Sequence, residues 1–271
     1  MVASKKIGFV GGGNMGEALI KGLLSSGRLQ ADQIRVSDVR QDRLRFLQDT
    51  YQVLTVPDNA ELTREVDVIV IAVKPQQMAD VVADISGNLE HLPLLISIAA
   101  GVPLAIIERG IGEPVPVVRV MPNTPALVLA GVSAIAGGTH ANEDHLAIVR
   151  LLFEAVGQVV EVNEANMDAV TGLSGSGPAY VLLFIEALMD AGVLTGLSRQ
   201  VARELAVHTT LGAAKLLAEG DAHPAALKDQ ITSPGGTTIH GLAVLERAGM
   251  RGMVMEAVAA ATQRSMELGK K

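Results

Sequence analysis

Two short stretches of this chain hold residue types and spacings that can handle anions. Gly11-Gly12-Gly13-Asn14-Met15-Gly16 contains Gly-x-Gly-x-x-Gly between an apolar run, "KIGFV", and a helical pattern, "NMGEALIKGLLSSG". In that setting Gly11 permits a tight turn, Gly13 lets a pyrophosphate approach the backbone, and Gly16 lets the helix pack on the strand. The amides of Asn14 and Met15 then open a helix whose N-terminus faces the phosphates. Glycines in a βα turn can also be purely structural, but the position after a first strand favours a dinucleotide. The second stretch is Ser233-Pro234-Gly235-Gly236-Thr237-Thr238, set between two helical segments. Proline lacks an amide donor and the glycines loosen the backbone, so this cannot be helix interior. It bares the amides of Gly235 to Thr238 at the start of the next helix, "IHGLAVLERAG", which is a ready anion site. A plain cap needs only one Thr, so two Thr, a Ser and two Gly point to a ligand carboxylate.

Other candidates fall where strands end. The second strand ends Ser37-Asp38-Val39-Arg40. Asp38 follows Gly16 at roughly the 20-residue interval at which an acid holds the ribose 2′-hydroxyl of NAD. Arg40 could instead pair with the 2′-phosphate of NADP, and the two residues pull in opposite directions. The run "VDVIVIAV" ends at Lys74-Pro75, so the backbone of Ala72, Val73 and Lys74 can pass the cofactor; Lys74 reads equally well as a solvated turn lysine. In "SIAAG" (97–101) the small residues Ala99, Ala100 and Gly101 leave room for a nicotinamide ribose. In "RVMPNTPALV" (119–128), Asn123 and Thr124 can bond a carboxamide or cap a turn. In "LSGSGPAY" (173–180), Pro178 suits the first turn of a helix, and the small residues before it allow close approach of a ligand or a second chain, or serve only as a cap.

Elsewhere no acid–base dyad, nucleophile–histidine pair or metal cluster emerges. If the chain is an enzyme, a cofactor carries the hard chemistry and the protein contributes at most one proton.

The 271 residues are 49% apolar, enough for a core, but only 2% aromatic with no Trp, thin for stacking nucleobases. Net charge is −7 and the 22 basic residues are scattered, which argues against nucleic acid. With no cysteine, disulfides and thiolate chemistry are excluded. The histidines show only a loose His140/His145 pairing, and no metal is expected. Met1 to Lys6 lead straight into an apolar strand, so no secretory leader is expected. The longest apolar run, "AYVLLFIEALMDAGVLTGL", carries Glu186 and Asp190, which argue for a helix between protein surfaces rather than across a membrane. A reducing, cytoplasmic setting is the expectation.

Strands and helices alternate through the first half: "KIGFVG", "QIRVSDV", "VDVIVIAV", "PLLISIA", "VPVVRVM", "VSAIAGG" and "QVVEV", with helices such as "RQDRLRFLQDTY" and "EDHLAIVRLLFEAVG" between. This alternation implies an α/β fold with a doubly wound sheet. From Glu164 onward nearly everything reads as helix. We place a Rossmann-type domain at 1–163 and an all-α domain at 164–271. So much apolar surface in the second domain predicts that an oligomer completes its core.

Taken together, "IGFVGGGNMGEA", "AVKP", "SIAAGV", "MPNTPA", "GLSGSGPAY" and "HPAALKDQITSPGGTTIHGLAVLE" closely resemble the Δ1-pyrroline-5-carboxylate reductase family, in order and over almost the full chain. The resemblance implies a Rossmann domain and a helical domain that interlocks in a homodimer, often assembled into rings of dimers. It implies hydride transfer from NAD(P)H to the ring imine carbon of pyrroline-5-carboxylate, giving L-proline in the last step of proline biosynthesis. By the same resemblance, the segment matching Ser233 to Thr238 binds the substrate carboxylate through the amides of Gly235 and Gly236, with help from Ser233. Thr238 matches the favoured proton donor or water positioner. Glu164, Gln230 and Thr237 match positions at or near the substrate. Asn59 matches a contact to the adenosine ribose, and Ala72 to Pro75 and Ala99 to Gly101 match cofactor-lining loops. Asp38 departs from the small hydroxylated residues or Asn-Arg pair of many relatives, which suit NADPH; NADPH is expected, with NADH also usable. A β-hydroxyacid dehydrogenase would place a Lys and an Asn one turn apart on an interdomain helix, and "VLLFIEALMDAG" has no such pair. A non-catalytic dinucleotide sensor would not need the second anion loop.

Overall fold

The computed structural model describes residues 4–89 and 91–269. Eight strands form one sheet among them: β1 (Ile7–Val10), β2 (Ile34–Ser37), β3 (Leu54–Thr55), β4 (Val68–Ile71), β5 (Leu94–Ser97), β6 (Val117–Met121), β7 (Gly131–Gly137) and β8 (Gly157–Glu161). Their order across the sheet is β3-β2-β1-β4-β5-β6-β7-β8. Helices α1 (Asn14–Ser25), α2 (Gln41–Tyr51), α3 (Asn59–Glu65), α4 (Met78–Ser86), α5 (Leu104–Ile111), α6 (Glu143–Phe153) and α7 (Met167–Val170) connect the strands or follow them. The helical remainder is α8 (Gly177–Leu194), α9 (Arg199–Ala218), α10 (Pro224–Gln230), α11 (Thr237–Arg247) and α12 (Met250–Leu268).

The central strands β1, β4 and β5 are buried at every position and almost wholly apolar because both sheet faces are covered. Ile7 and Phe9 of β1, Val68 and Val70 of β4 and Ile96 of β5 join Leu19, Leu23, Leu47 and Phe153 in one core. Val10, Ile69, Ile71 and Leu95 face the other way, against Leu62, Val82, Ile85 and Ile107. The chain reverses its direction of winding after β3: β2 lies on one side of β1 and β4 on the other. The C-terminal ends of β1 and β4 therefore border the crevice where ligands of such sheets bind.

The sheet departs from uniform parallel winding at β7, which pairs antiparallel with β6, Met121 facing Ala134. The segment between them holds only a 3-10 turn, Thr124–Val128, too short for the crossover helix that a parallel return requires. Strand β8 then runs parallel to β7 through α6. The sequence pattern singled out neither β3, which is two residues long, nor α3, which carries too few apolar positions to show a helical stripe, and it named neither α4 nor α5.

By compactness the chain divides into Met1–Ser176 with Ala260–Lys271, and Gly177–Ala259. This differs from the expected domains 1–163 and 164–271. Residues 164–176 and the last turns of α12 fall with the sheet: Ser265 Oγ donates to Asp168 Oδ1 at 2.6 Å, and both lie in the first unit. In the second unit the only fully buried hydrophobic side chains among the described residues are Ala202 and Ala206, while Leu182 and Leu183 of α8 are 65% and 67% exposed. The stretch Glu164–Leu194 is the one helical run among the described residues long and apolar enough to span a membrane. A helix apolar on all sides that finds no core in its own chain calls for cover from elsewhere.

Candidate active site

The first unit holds a cleft of about 750 Å³ whose walls come from the strand ends next to the switch point. Gly11, Gly13, Asn14 and Met15 of the glycine-rich turn line it, with Ser37, Asp38 and Arg40 after β2, Asn59 of α3, and Ala72, Val73 and Lys74 after β4. All eleven were candidates from the sequence. Gly11 has φ +97°, and a Cβ there would lie 2.7 Å from the Ala72 carbonyl oxygen. A Cβ on Gly16 would meet the Gly11 carbonyl at the same distance, so α1 packs against the turn. Gly13 is the N-cap of α1 and offers no side-chain cap to the helix. A Cβ on Gly13 would meet no protein atom within 4 Å. The first-turn amides of α1 thus face space that a side chain would have taken, which is the cradle a pyrophosphate needs. On that ground the residues present fit a dinucleotide.

Side chains behind the turn hold it in place. Asp38 Oδ2 accepts from the Gly12 amide at 2.8 Å, and Arg43 Nε donates to the Gly12 carbonyl. Arg43 also pairs with Glu17, and the Tyr51 hydroxyl donates to Glu17 at 2.8 Å. Burial pushes the Glu17 carboxyl upward, but the Arg43 and Tyr51 hydrogen bonds outweigh it and hold the group below its ordinary value. Burial, and then the same Glu17, push the Tyr51 hydroxyl above its own. Ser37 Oγ donates to Asn59 Oδ1 at 2.7 Å, and Asn59 Nδ2 donates to Asp84 at 3.1 Å, so the Asn59 amide is oriented from both ends.

Other expected cofactor residues stand differently. Gly16 lies behind the turn. Pro75, Ala99, Ala100 and Gly101, expected at the cofactor, are not among the residues lining this cleft; Ile98 lines it from that segment, and Ala99 is buried in the core that holds Val10 and Ile71. Asn123 is engaged by its own unit: Oδ1 accepts from the Val132 amide and Nδ2 donates to the Ser174 carbonyl. It ties the start of β7 to the π-helical turn Thr171–Gly175, while Met121 and Pro122 before it line the cleft. Gln77 and Val81, after β4, line it too and were missed; one is polar and one apolar on a short helical entry, with no motif to single them out.

Glu164, expected near the substrate, lies in the first unit. Its carboxylate accepts from the Leu104 amide at the start of α5 and from Arg119 at 3.3 Å, whose side chain is 6% exposed. The sequence placed Arg119 only within a strand run; an arginine buried in a sheet needs such a partner.

The second unit holds the other anion candidate. Gly236 is the N-cap of α11 and makes no side-chain cap, so Thr237 and Thr238 are the first helical residues rather than caps. Gly235 takes φ +66°. A Cβ on Gly236 would stand 2.3 Å from Ser233 Oγ. The Gly236 amide donates to the Ser233 carbonyl at 3.0 Å, and His240 Nδ1 bonds the Gly236 carbonyl at 2.9 Å, which fixes the turn while leaving the first amides of α11 unpaired. Ser233 and Gln230 are exposed and Thr238 is half-buried.

Comparison with known proteins bears on both units. A family profile described as "Pyrroline-5-carboxylate reductase dimerisation" matches residues 164–268, and one described as "NADP oxidoreductase coenzyme F420-dependent" matches residues 6–101. The chain is 50% identical over 268 residues to a pyrroline-5-carboxylate reductase of Synechocystis, covering 99% of this chain and 100% of that protein. It is 40% identical to the Escherichia coli protein of that name, covering 98% and 99%. Among solved structures, a pyrroline-5-carboxylate reductase from Coxiella burnetii superposes with TM-score 0.94 at 36% identity, covering 99% and 100%. A Plasmodium falciparum pyrroline carboxylate reductase with NADP bound superposes with TM-score 0.89 at 36% identity, over 99% of this chain and 100% of that one.

Proposed function

The chain belongs to the pyrroline-5-carboxylate reductase family, and from that premise we propose how its residues carry out the reaction. It reduces Δ1-pyrroline-5-carboxylate to proline as an NAD(P)H-dependent oxidoreductase. The observation that supports the reading most is a pair of helix starts in one chain whose N-cap is a glycine with no side-chain cap, Gly13 before α1 and Gly236 before α11. One suits a pyrophosphate and the other a small carboxylate.

The bound dinucleotide supplies a hydride. The amides of Asn14 and Met15 would hold its pyrophosphate, Asp38 and Asn59 would meet its adenosine ribose, and Val73 and Lys74 would border it. The amides of Gly235, Thr237 and Thr238, with the Ser233 hydroxyl, grip the substrate carboxylate, while the Gly236 amide closes the turn onto the Ser233 carbonyl. Gln230 and Thr237 flank it, and Glu164 acts by holding Arg119 and the start of α5. A hydride added to the imine carbon must be balanced by one proton on nitrogen. Thr238 is a weak acid, so it orients a substrate that arrives protonated, or a water that shares the role. Catalysis is then mainly proximity and electrostatic positioning.

The match of residues 164–268 to a dimerisation profile supports a homo-oligomer as the form in which α8 and its neighbours are covered. We propose that two copies interlock through these helices, that dimers assemble further into rings, and that the enzyme works in the cytoplasm. Burying Leu182 and Leu183 alone would contribute about 1.5–3 kcal/mol each.

The test is oxidation of NADPH or NADH in the presence of pyrroline-5-carboxylate, against a 2-hydroxy acid assayed in reverse. Turnover with the imine and none with the hydroxy acid is expected. The opposite pattern would place the chain's chemistry with the β-hydroxyacid dehydrogenases.

A further inference from the structure

Among the described residues that line the cofactor cleft, Asp38 is the one anion, and both of its oxygens are held by backbone. Oδ2 accepts from the Gly12 amide at 2.8 Å and Oδ1 from the Arg40 amide at 2.9 Å. Swinging the carboxylate aside would leave both donors without it. The Gly12 peptide is held on its other side by Arg43, which Glu17 and Tyr51 hold in turn. The turn and the carboxylate are therefore set as one piece before any ligand arrives. Each carboxylate oxygen keeps a further lone pair, which a ribose hydroxyl can fill as donor.

The surroundings favour a hydroxyl over a phosphate. Val39, next in sequence and 89% exposed, brings no donor to the rim of the cleft. Arg40 is the nearest cation in sequence, and its side chain is exposed to solvent, so its attraction for a phosphate is screened. Asp38 is half-buried and fixed, so its repulsion is screened less.

We infer that Asp38 is a specificity-determining residue that makes NADH the better of the two cofactors for this enzyme, with NADPH bound more weakly. The inference rests on the reductase reading above, but it concerns the dinucleotide alone. It also assigns Asp38 a second task, anchoring Gly12, so that its substitution by a residue that cannot accept these amides would weaken both dinucleotides.

Titration of the full-length enzyme with NADH and with NADPH, followed by the fluorescence of the reduced nicotinamide and without imine, tests it. NADH should bind about tenfold more tightly, the effect of one partly screened charge contact. Asp38→Asn keeps an acceptor for one amide and removes the charge, and it should narrow or invert that ratio by tightening NADPH. Asp38→Ala should weaken NADH and NADPH alike. Tighter NADPH binding by the unaltered enzyme would overturn the inference, as would an Asp38→Asn ratio equal to the unaltered one. If neither dinucleotide binds, the reductase reading falls with it; if both bind with NADPH ahead, only the inference falls.

Discussion

Gly13 and Gly236 occupy the same place in two unrelated turns. Each is the N-cap of a helix, with φ −64° and ψ −175° in the first and φ −73° and ψ 172° in the second, and neither helix has a side-chain cap. Support separates them. The first turn is braced from behind by Asp38, Arg43, Glu17 and Tyr51, and Gly11 and Gly16 pack against backbone. Among the described residues, the second is held by the Gly236–Ser233 backbone bond and by His240, on a largely exposed stretch. A preorganised turn binds its ligand at little ordering cost, whereas a turn with few internal braces depends on the ligand or another chain to complete it.

The largest break in that comparison should come from Gly11→Ala. A side chain at φ +97° is strained, and its Cβ would press on the Ala72 carbonyl. We expect at least about a hundredfold loss of kcat/KM with weakened dinucleotide binding, since a small displacement at a positioned site can cost that much. Thr238→Ala should come next: kcat lower by roughly ten- to a hundredfold, in the range of a lost proton-positioning group, with the dinucleotide Kd nearly unchanged. Equal losses in both would show that the second turn is only structural.

Glu17→Gln sharpens the comparison from the braced side and should have a moderate effect. Because the folded-state pKa of Glu17 is lowered, its contribution to stability is present above the ordinary value of 4.5 and is lost as pH falls through the lower folded value. Thermal unfolding of the unaltered enzyme should therefore show an acid-side loss below about pH 4.5 that the variant lacks in part, with the variant less stable by about 1–3 kcal/mol at neutral pH. The same substitution should weaken dinucleotide binding only a few-fold. The smallest effect is expected for Asn59→Ala, which removes the link between Ser37 and Asp84; the dinucleotide Kd should rise by less than about tenfold, near the value of a single neutral hydrogen bond.

What the sequence conveys follows the range of the interactions. Both glycine-started helices were legible because glycine, proline and hydroxyl spacing is local, and the alternating apolar runs gave the α/β order. The partners of Asn123, Val132 and Ser174, were not legible because they lie on other elements. Arg43, Glu17 and Tyr51 show nothing in sequence that joins them; only the packing of α2 against α1 does. The boundary at 163 followed the end of the strand pattern, whereas compactness follows α12, whose last turns rejoin the first unit through Ser265 and Asp168. Strand direction at β7 was likewise hidden, since periodicity reports which faces are buried and not which way a strand runs.

The most direct test of the central claim is a crystal structure of the enzyme with proline and the oxidised dinucleotide. The account predicts the proline carboxylate within hydrogen-bond reach of the free amides at the start of α11, those of Gly235, Thr237 and Thr238. Proline bound elsewhere, with those amides facing only solvent, would contradict it.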